Sequence, residues 1–324
     1  MKRWKLVFFS TCALAVVTSS AKSQDYPNRT IQIVVGTPAG GVSDLTARVL
    51  AEEMRQKFNQ TVIVENRVGA SGKIGAAHVA RSAPDGYTLL FANPSTFSLP
   101  ILTDKSPLYD PVKGFTPLGY VGISAYTLVV PASSPYKTLN ELLSSDAAKK
   151  GNLKFGNAST ASASHFAAEM LALETKTSVT HIPYRGEAPM ITDLISGQID
   201  VAFATGARPY IDAGQIRALA ISSRERFTPM PDVPLILEQG LPQFSFLGWL
   251  GLLGPAGIPD NVVSELNNVV RTAATSDRVR KLMLDNGIAP ASPASPSQHA
   301  DLISEDITKL RQFIDSGRIK VELR

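Results

Sequence analysis

The chain has 324 residues, 44% of them hydrophobic and 19% charged, which is the composition of an ordinary globular protein too long for one hydrophobic core. It carries 32 Lys and Arg against 28 Asp and Glu, yet four of the basic residues and none of the acids lie within residues 1–23. Without that segment the chain is formally neutral and lacks its only cysteine, Cys12, which excludes disulfides and thiolate sites and argues against nucleic-acid binding.

The N-terminus predicts a secretory signal peptide over residues 1–23. A basic start is followed by an apolar run at 6–17, shorter than the ~20 residues of a membrane span, and by small residues before Gln24. We expect cleavage near Ser23/Gln24 and export to the periplasm. An N-terminal core helix and a lipoprotein anchored at Cys12 are the alternatives.

Strands and helices alternate in the first part of the mature chain. Apolar runs at 31–35, 61–65 and 87–91 have the length of strands, and a helical stripe of apolar residues begins after Ser43 and Asp44. The order strand, loop, helix, strand is typical of an open α/β sheet, whose ligands bind beyond the carboxyl ends of the strands.

A second α/β unit follows, with strands expected at 127–130, 153–156, 179–182, 199–204 and 217–221. An apolar strand at 246–253 and three amphipathic helices, the last after a connector at 290–297, then return. We therefore expect two lobes, residues 24–125 plus 248–324 and residues 126–247, with a ligand cleft between them.

Two glycine-containing loops precede helices in the first lobe. Gly40 and Gly41 allow close approach of a ligand to the backbone, and the helix that follows directs its amides at a carboxylate or phosphate. Ala70 lies in a second such loop, and Ser95 follows the third strand. The alternative reading is a tight turn in which Asp44 caps the helix.

The second lobe offers hydroxyl groups in the same setting. Ser159, Thr160, Ser162 and Ser164 follow a strand and precede a helix, where they suit a carboxylate without an ion pair. A hydroxyl-rich surface loop that caps its helix is the alternative. After the next strand, Tyr184 and Arg185 are candidates for the cleft wall.

Catalytic and metal-binding patterns are weak. The four histidines show neither HxxxH nor HExxH spacing, and GxSxG is absent. We predict no metal, no cofactor and no enzymatic activity; a secreted hydrolase that uses Ser162 or Ser164 is the least favoured alternative.

Several stretches, in order along the chain, resemble the Bug family of periplasmic receptors of tripartite tricarboxylate transporters. They are PAGGVSD at 38–44, VENRVGASG at 64–72, PDGYTLL at 84–90, HIPYRG at 181–186, SGQID at 196–200, PDVPLILEQG at 231–240 and GPAGIP at 254–259.

The resemblance implies a two-lobed type II periplasmic-binding-protein fold that closes on a small carboxylate and delivers it, as a monomer, to membrane permease subunits. A sensor that signals to a kinase has the same fold and is the alternative. Carried over residue by residue, the family's binding positions are Pro38, Gly40, Gly41, Asp44, Ser162 and His165. With the residues chosen on chemistry, the expected binding set is Thr37, Pro38, Gly40, Gly41, Asp44, Ala70, Ser95, Ser159, Thr160, Ser162, His165, Tyr184 and Arg185.

The chain departs from the family pattern at two loops. Thr37 stands where members commonly have an aromatic residue, and Gly36 stands where proline often precedes it. The second loop usually reads close to G-x-G-S-x-x-H, whereas here Ser159 and Ala161 replace both glycines.

Overall fold

Apolar runs of strand length form two separate sheets in the computed structural model, which describes residues 26–102, 104 and 106–315. The leader predicted at 1–23, with Cys12, lies outside the described residues. Among the helices of the described part, none combines the length and hydropathy that a membrane span requires.

The first sheet has six strands in the order β11-β4-β10-β3-β1-β2. Its members are β1 (Ile31–Val35), β2 (Val62–Asn66), β3 (Thr88–Ala92), β4 (Phe115–Ala125), β10 (Leu247–Pro255) and β11 (Ile288–Pro290). The strands β1, β2 and β3 run parallel, as expected from the sequence. The sheet as a whole is mixed, because β10 runs antiparallel to β3 and β4.

The second sheet has five strands in the order β7-β6-β8-β5-β9. Its members are β5 (Thr127–Pro131), β6 (Leu153–Asn157), β7 (Val179–Pro183), β8 (Val201–Ala204) and β9 (Ile216–Ile221). Strand β6 runs parallel to β7 and β8, whereas β5 runs antiparallel to β8 and β9. The chain therefore has the two-lobed α/β architecture, with one sheet in each lobe.

Helices cover the sheets. They are α1 (Val42–Phe58), α2 (Lys73–Ala80), α3 (Leu99–Leu102), α4 (Leu139–Leu143), α5 (Asp146–Lys149), α6 (Ala163–Thr175), α7 (Glu187–Ile195), α8 (Arg208–Asp212), α9 (Asp260–Thr275), α10 (Asp277–Asp285) and α11 (Pro296–Asp315). In α1, Leu50 and Met54 are fully buried against Ile31 and Ile33 of β1. Each such side chain contributes roughly 1.5–3 kcal/mol on burial, which explains why the apolar stripe specifies this face.

The sequence does not predict β4 and β11. Strand β4 contains Pro117, Gly119 and Gly122 and shifts register against β10, so its residues form neither an alternating pattern nor an unbroken apolar run. Strand β11 has three residues and extends into the connector expected at 290–297. Both strands owe their geometry to pairing with neighbours that are distant in sequence.

Ser222 joins the two segments that cross between the lobes. Its hydroxyl accepts a hydrogen bond from the Tyr126 amide at 2.8 Å, directly after β4, and its carbonyl accepts one from the Phe246 amide at 3.1 Å, directly before β10. Ser222 is fully buried. The two crossing segments are therefore hydrogen-bonded to the same buried residue and lie side by side.

Candidate functional site

The lobes touch at the carboxyl ends of their parallel strands. The Ser95 hydroxyl, after β3, accepts a hydrogen bond from the Ala163 amide at the start of α6, with 3.0 Å between Oγ and N. A methyl group placed on Gly206, after β8, would come within 3.0 Å of Val42 Cγ2 at the start of α1. The loops predicted to bind a ligand thus lie next to one another where the two lobes meet.

The first-lobe loop at 37–41 leads into α1 without a side-chain cap. The N-cap residue is Gly41, which has no side chain to accept a hydrogen bond from the first-turn amides. The loop residues Pro38 and Gly40 are exposed, and Thr37 is partly buried. Because the first amides of a helix have no partner within the helix, this end presents donors and a positive dipole to the cleft.

Asp44 holds this loop through a hydrogen bond to its backbone. It is the third residue of α1 and not its N-cap, so the alternative reading of Asp44 as the cap is wrong. Its carboxylate accepts hydrogen bonds from the Gly40 amide, from Arg48 Nε and from Asn66 Nδ2 at 2.9–3.0 Å. Burial raises the pKa of Asp44, but these bonds, led by Arg48, outweigh burial and hold it below its usual value. Every face of the carboxylate is occupied by the protein.

Asn66 and Asn93 were not expected at the site. Asn66 Nδ2 also donates to the Thr37 carbonyl at 3.0 Å, and Asn93 Nδ2 donates to Ser43 Oγ at 2.9 Å. Each asparagine stands at or just after the carboxyl end of a parallel strand beside β1. That position in the strand order is the signal that would have found them.

The loop around Ala70 is a run of left-handed residues. Gly69, Ala70, Ser71 and Gly72 all have positive φ, and Ala70 is exposed. A Cβ on Gly72 would lie 2.6 Å from the Thr96 carbonyl oxygen, so this glycine is required for close packing of two loops.

The second-lobe loop turns two of its four hydroxyls, those of Ser162 and Ser164, inward. The Ser162 hydroxyl caps α6 by accepting from the His165 amide, donates to the Ser159 carbonyl at 2.8 Å, and lies 2.9 Å from Ser164 Oγ. Ser164 Oγ accepts from the Ala158 amide at 3.0 Å. Both serines are buried. Their hydroxyls make hydrogen bonds within the loop and so stabilise its conformation.

Ser159 and Thr160 are the outward-facing hydroxyl residues of the same loop. Ser159 is partly buried and Thr160 is exposed. Of the predicted second-lobe hydroxyl residues, these two are the ones that solvent reaches. Their binding role remains a prediction.

His165 is buried and engaged on the Nδ1 side. The Ala161 amide donates to His165 Nδ1 at 3.1 Å. Burial, together with nearby His181, lowers the pKa of His165 to about 4, against the opposing charge of Glu169. The ring is therefore neutral at pH 7, and its proton resides on Nε2 because Nδ1 accepts an N–H.

One group of side chains approaches the composition of a metal site. Ligand atoms of His165, Glu169 and His181 lie within 4.8 Å of one another. A metal-bound imidazole donates its other ring N–H to an acceptor. The Ala161 amide instead donates to His165 Nδ1, which leaves a proton and no lone pair on Nε2. As placed, these three residues suit hydrogen bonding and not metal ligation.

Tyr184 and Arg185 lie after β7. The Tyr184 hydroxyl donates to Asp193 Oδ2 at 2.8 Å, and burial followed by this bond raises the pKa of Tyr184 to about 12. Arg185 is exposed. Glu187, which the sequence did not single out, accepts from the Gly206 amide at 2.7 Å and from the amide and hydroxyl of Thr205. The backbone amides of Thr205 and Gly206, directly after β8, therefore donate to a carboxylate of the protein itself.

Comparison with known proteins gives consistent matches. A family model described as "Tripartite tricarboxylate transporter family receptor" matches residues 46–318. The structure of the periplasmic binding protein BugD is 31% identical with a TM-score of 0.80, and the match covers 90% of this chain and 99% of that one.

Two further similar structures hold organic acids. Rpa4515 of R. palustris with adipate is 29% identical with a TM-score of 0.84, over 90% of this chain and 98% of its own. MatC from Rhodopseudomonas palustris with bound malate is 31% identical with a TM-score of 0.83, over 89% of this chain and 100% of its own. The likeness therefore extends over both lobes.

Proposed function

Because the chain belongs to the tripartite tricarboxylate transporter receptor (Bug) family, we propose that it is a periplasmic receptor that closes on a small carboxylate and delivers it to membrane permease subunits. The observation that carries this proposal is the meeting of two donor-rich loops from different lobes, marked by the hydrogen bond between Ser95 and Ala163. Solved relatives hold malate and adipate, which are both dicarboxylates.

The chemistry of the cleft supports an anion held mainly by neutral donors. The uncapped N-terminus of α1, the exposed Thr160 and the partly buried Ser159 supply amides and hydroxyls. Asp44 is neutralised by Arg48 at 2.9 Å, so it adds little repulsion. Donors of this kind suit a carboxylate, and ligand binding favours closure because only the closed state offers both loops.

We propose that the protein binds without catalysis. A serine nucleophile needs an adjacent base, but the Nδ1 of His165 accepts the Ala161 amide, and Ser164 Oγ accepts from Ala158. A periplasmic sensor of the same fold remains the second candidate, since the fold and cleft serve it equally. Interaction of the loaded protein with permease subunits, but not with a sensor kinase, distinguishes the two.

We also propose the processing and the lobe boundaries predicted from the sequence. Cleavage before Gln24 is supported by the composition of residues 1–23. Lobes at 24–125 plus 248–324 and at 126–247 agree with the change of sheet between β4 and β5 and again at β10. Intact mass of the exported protein tests the first, and sedimentation velocity tests the expected monomer.

The binding test is isothermal titration of the purified mature protein with malate, adipate, citrate and an aromatic acid. The matched control is the corresponding amide of each acid, which keeps the shape and removes the charge. We expect at least one acid, and none of the amides, to bind with Kd of about 1 μM or tighter. A folded protein that binds no acid would contradict the carboxylate proposal.

A further inference from the structure

The second-lobe loop enters α6 through a residue in an unfavourable backbone conformation. Ala161 has a φ of 58°, in the left-handed region that residues with a Cβ rarely adopt, and is 8% exposed. Such a conformation persists only where the surroundings hold it. The contacts of Ala161 therefore decide the shape of the loop.

His165 provides the contact that holds Ala161. Its Nδ1 accepts the Ala161 amide hydrogen bond at 3.1 Å, and the side chain is almost completely buried. Accepting this bond requires Nδ1 to be unprotonated. The loop therefore depends on one tautomer of a neutral imidazole.

Glu169 lies beside the opposite nitrogen of that ring. It follows His165 by one helical turn, and its Oε1 is 3.9 Å from His165 Nε2 and 2.9 Å from His181 Nε2. A carboxylate next to Nε2 favours the proton there, because the N–H dipole points at the negative charge. The lone pair of His165 is thereby left on Nδ1 for the Ala161 amide.

His181 connects this arrangement to the sheet. It lies in β7, its ring centroid is 4.3 Å from that of His165, and its Nδ1 is 2.9 Å from Asn157 Nδ2. Asn157 is the last residue of β6, directly before the loop. Asn157, which precedes the loop, thus contacts His181, and Ala161, near the end of the loop, is hydrogen-bonded to His165.

We propose that His165, Glu169 and His181 are positioning residues that hold Ala161 left-handed and so set the shape of the ligand-binding loop at 158–162. This inference rests on the proposed function of that loop. In this proposal the three residues act through the loop backbone. None of the binding motifs read from the sequence includes Glu169 or assigns a role to His181.

Two isosteric substitutions separate the nitrogens of His165. In His165→Asn the side-chain oxygen falls near the position of Nδ1, so an acceptor for the Ala161 amide is kept and the contact with Glu169 is lost. In His165→Gln the polar group falls near Nε2, so the acceptor is lost. A purely structural role, filling a buried space, predicts that the smaller Asn is the worse replacement.

The first measurement needs no ligand. Nitrogen-15 NMR of the mature protein, labelled at histidine and alanine, reports the tautomer of His165 and the hydrogen exchange of the Ala161 amide. We expect the Nε2–H tautomer, an amide protected to within about threefold of wild type in His165→Asn, and exchange at least about tenfold faster in His165→Gln. Glu169→Gln, which removes the charge at the same shape, should raise the Nδ1–H population.

The second measurement is calorimetry with malate and adipate on the same variants. Any acid that binds wild type should bind His165→Gln at least about tenfold more weakly than it binds His165→Asn. Adding Ala161→Gly to His165→Gln should restore part of the affinity, because glycine adopts positive φ without a Cβ penalty. If neither acid binds wild type, the proposed function is in question while the NMR result still judges the positioning role.

Three results would overturn the inference. They are a His165 ring with its proton on Nδ1, an Ala161 amide equally protected in His165→Gln, and tight binding of Zn²⁺ that shifts both imidazoles, which would make the three residues a metal site. Should His165→Gln fail to fold by circular dichroism, the Glu169→Gln spectrum decides.

Discussion

The Ser95 hydroxyl and the Ala163 amide form a hydrogen bond between the two lobes, with 3.0 Å from Oγ to N. Ser95 follows a strand of the first sheet, and Ala163 begins a helix of the second lobe. An amide that is otherwise free at a helix N-terminus is satisfied by a side chain from the facing lobe. The contact therefore exists only while the lobes are together.

Replacement of Ser95 by alanine should favour the open state. The loss of one hydrogen bond, about 1 kcal/mol, weakens apparent ligand affinity by about fivefold and increases the radius of gyration of the unliganded protein. Calorimetry and small-angle X-ray scattering check both effects. Ser95→Thr keeps the hydroxyl and is the matched control; equal behaviour of Ser95→Ala and wild type would show that the contact does not hold the lobes.

Alanine at position 41 should block the α1 end of the cleft. Gly41 has an ordinary φ of −79°, and a Cβ there would meet only the Pro38 carbonyl oxygen at 3.9 Å. We expect the melting temperature to stay within about 4 °C of wild type. Affinity for the bound acid should fall by about tenfold, because the methyl group lies before the helix amides.

The control for Gly41→Ala is Ser304→Ala, an exposed change on α11. Scanning calorimetry and titration of both variants separate stability from binding. Unchanged affinity in Gly41→Ala would place the carboxylate elsewhere in the cleft.

Replacement of Asp44 by asparagine should destabilise the first lobe in a pH-dependent way. Asp44 is 1% exposed and accepts three hydrogen bonds. Asp44→Asn should lower the free energy of unfolding by about 1–3 kcal/mol at pH 7. Because the folded pKa of Asp44 lies below the ordinary 3.8, its contribution is present above that pH and is lost as the pH falls further.

Urea denaturation at pH 7 and pH 3 tests this expectation, and the difference between Asp44→Asn and wild type should shrink at the lower pH. The matched control is Asp146→Asn, whose exposed pairing with Lys150 at 3.7 Å contributes little. A loss of equal size at both pH values would mean that the charge of Asp44 is not what matters.

Replacement of Asp306 by asparagine should stabilise the protein at alkaline pH. Burial raises the pKa of Asp306 to about 7, although hydrogen bonding from Ser98 and the charge of Lys309 oppose the rise. Because the pKa of Asp306 is raised in the folded state, the contribution of Asp306 to stability is fully present below its ordinary pKa of 3.8. This contribution is lost as the pH rises through about 7. An asparagine amide at this position can still accept the hydrogen bond from the Ser98 hydroxyl, and it carries no charge that burial would disfavour.

We therefore expect Asp306→Asn to raise the free energy of unfolding by about 4 kcal/mol at pH 8 and to leave it nearly unchanged at pH 4. Urea denaturation at the two pH values measures the difference. Asp301→Asn, an exposed change on the same helix, is the control. If Asp306→Asn destabilised the protein at pH 8, the expectation that the surroundings of Asp306 disfavour its ionised form would be wrong.

The departure of the second loop from its family pattern has a structural consequence. Ala161 replaces a glycine of that pattern at a position where φ is 58°. The left-handed conformation costs a residue with a Cβ roughly 1–2 kcal/mol. The substitution is readable in the sequence, but its cost depends on a torsion angle that only the folded loop reveals.

The amino-acid sequence by itself was enough to predict the two α/β units, the three parallel strands of the first sheet and the loops that carry the binding motifs. These features follow from apolar runs, helical stripes and glycines, each of which acts over a few neighbouring residues. Tertiary structure decided the direction in which each polar group points. Ser162 and Ser164 turn inward while Thr160 turns outward, and His165 meets His181 from another element. Such placements depend on backbone torsions and on contacts between distant segments, which local patterns do not encode.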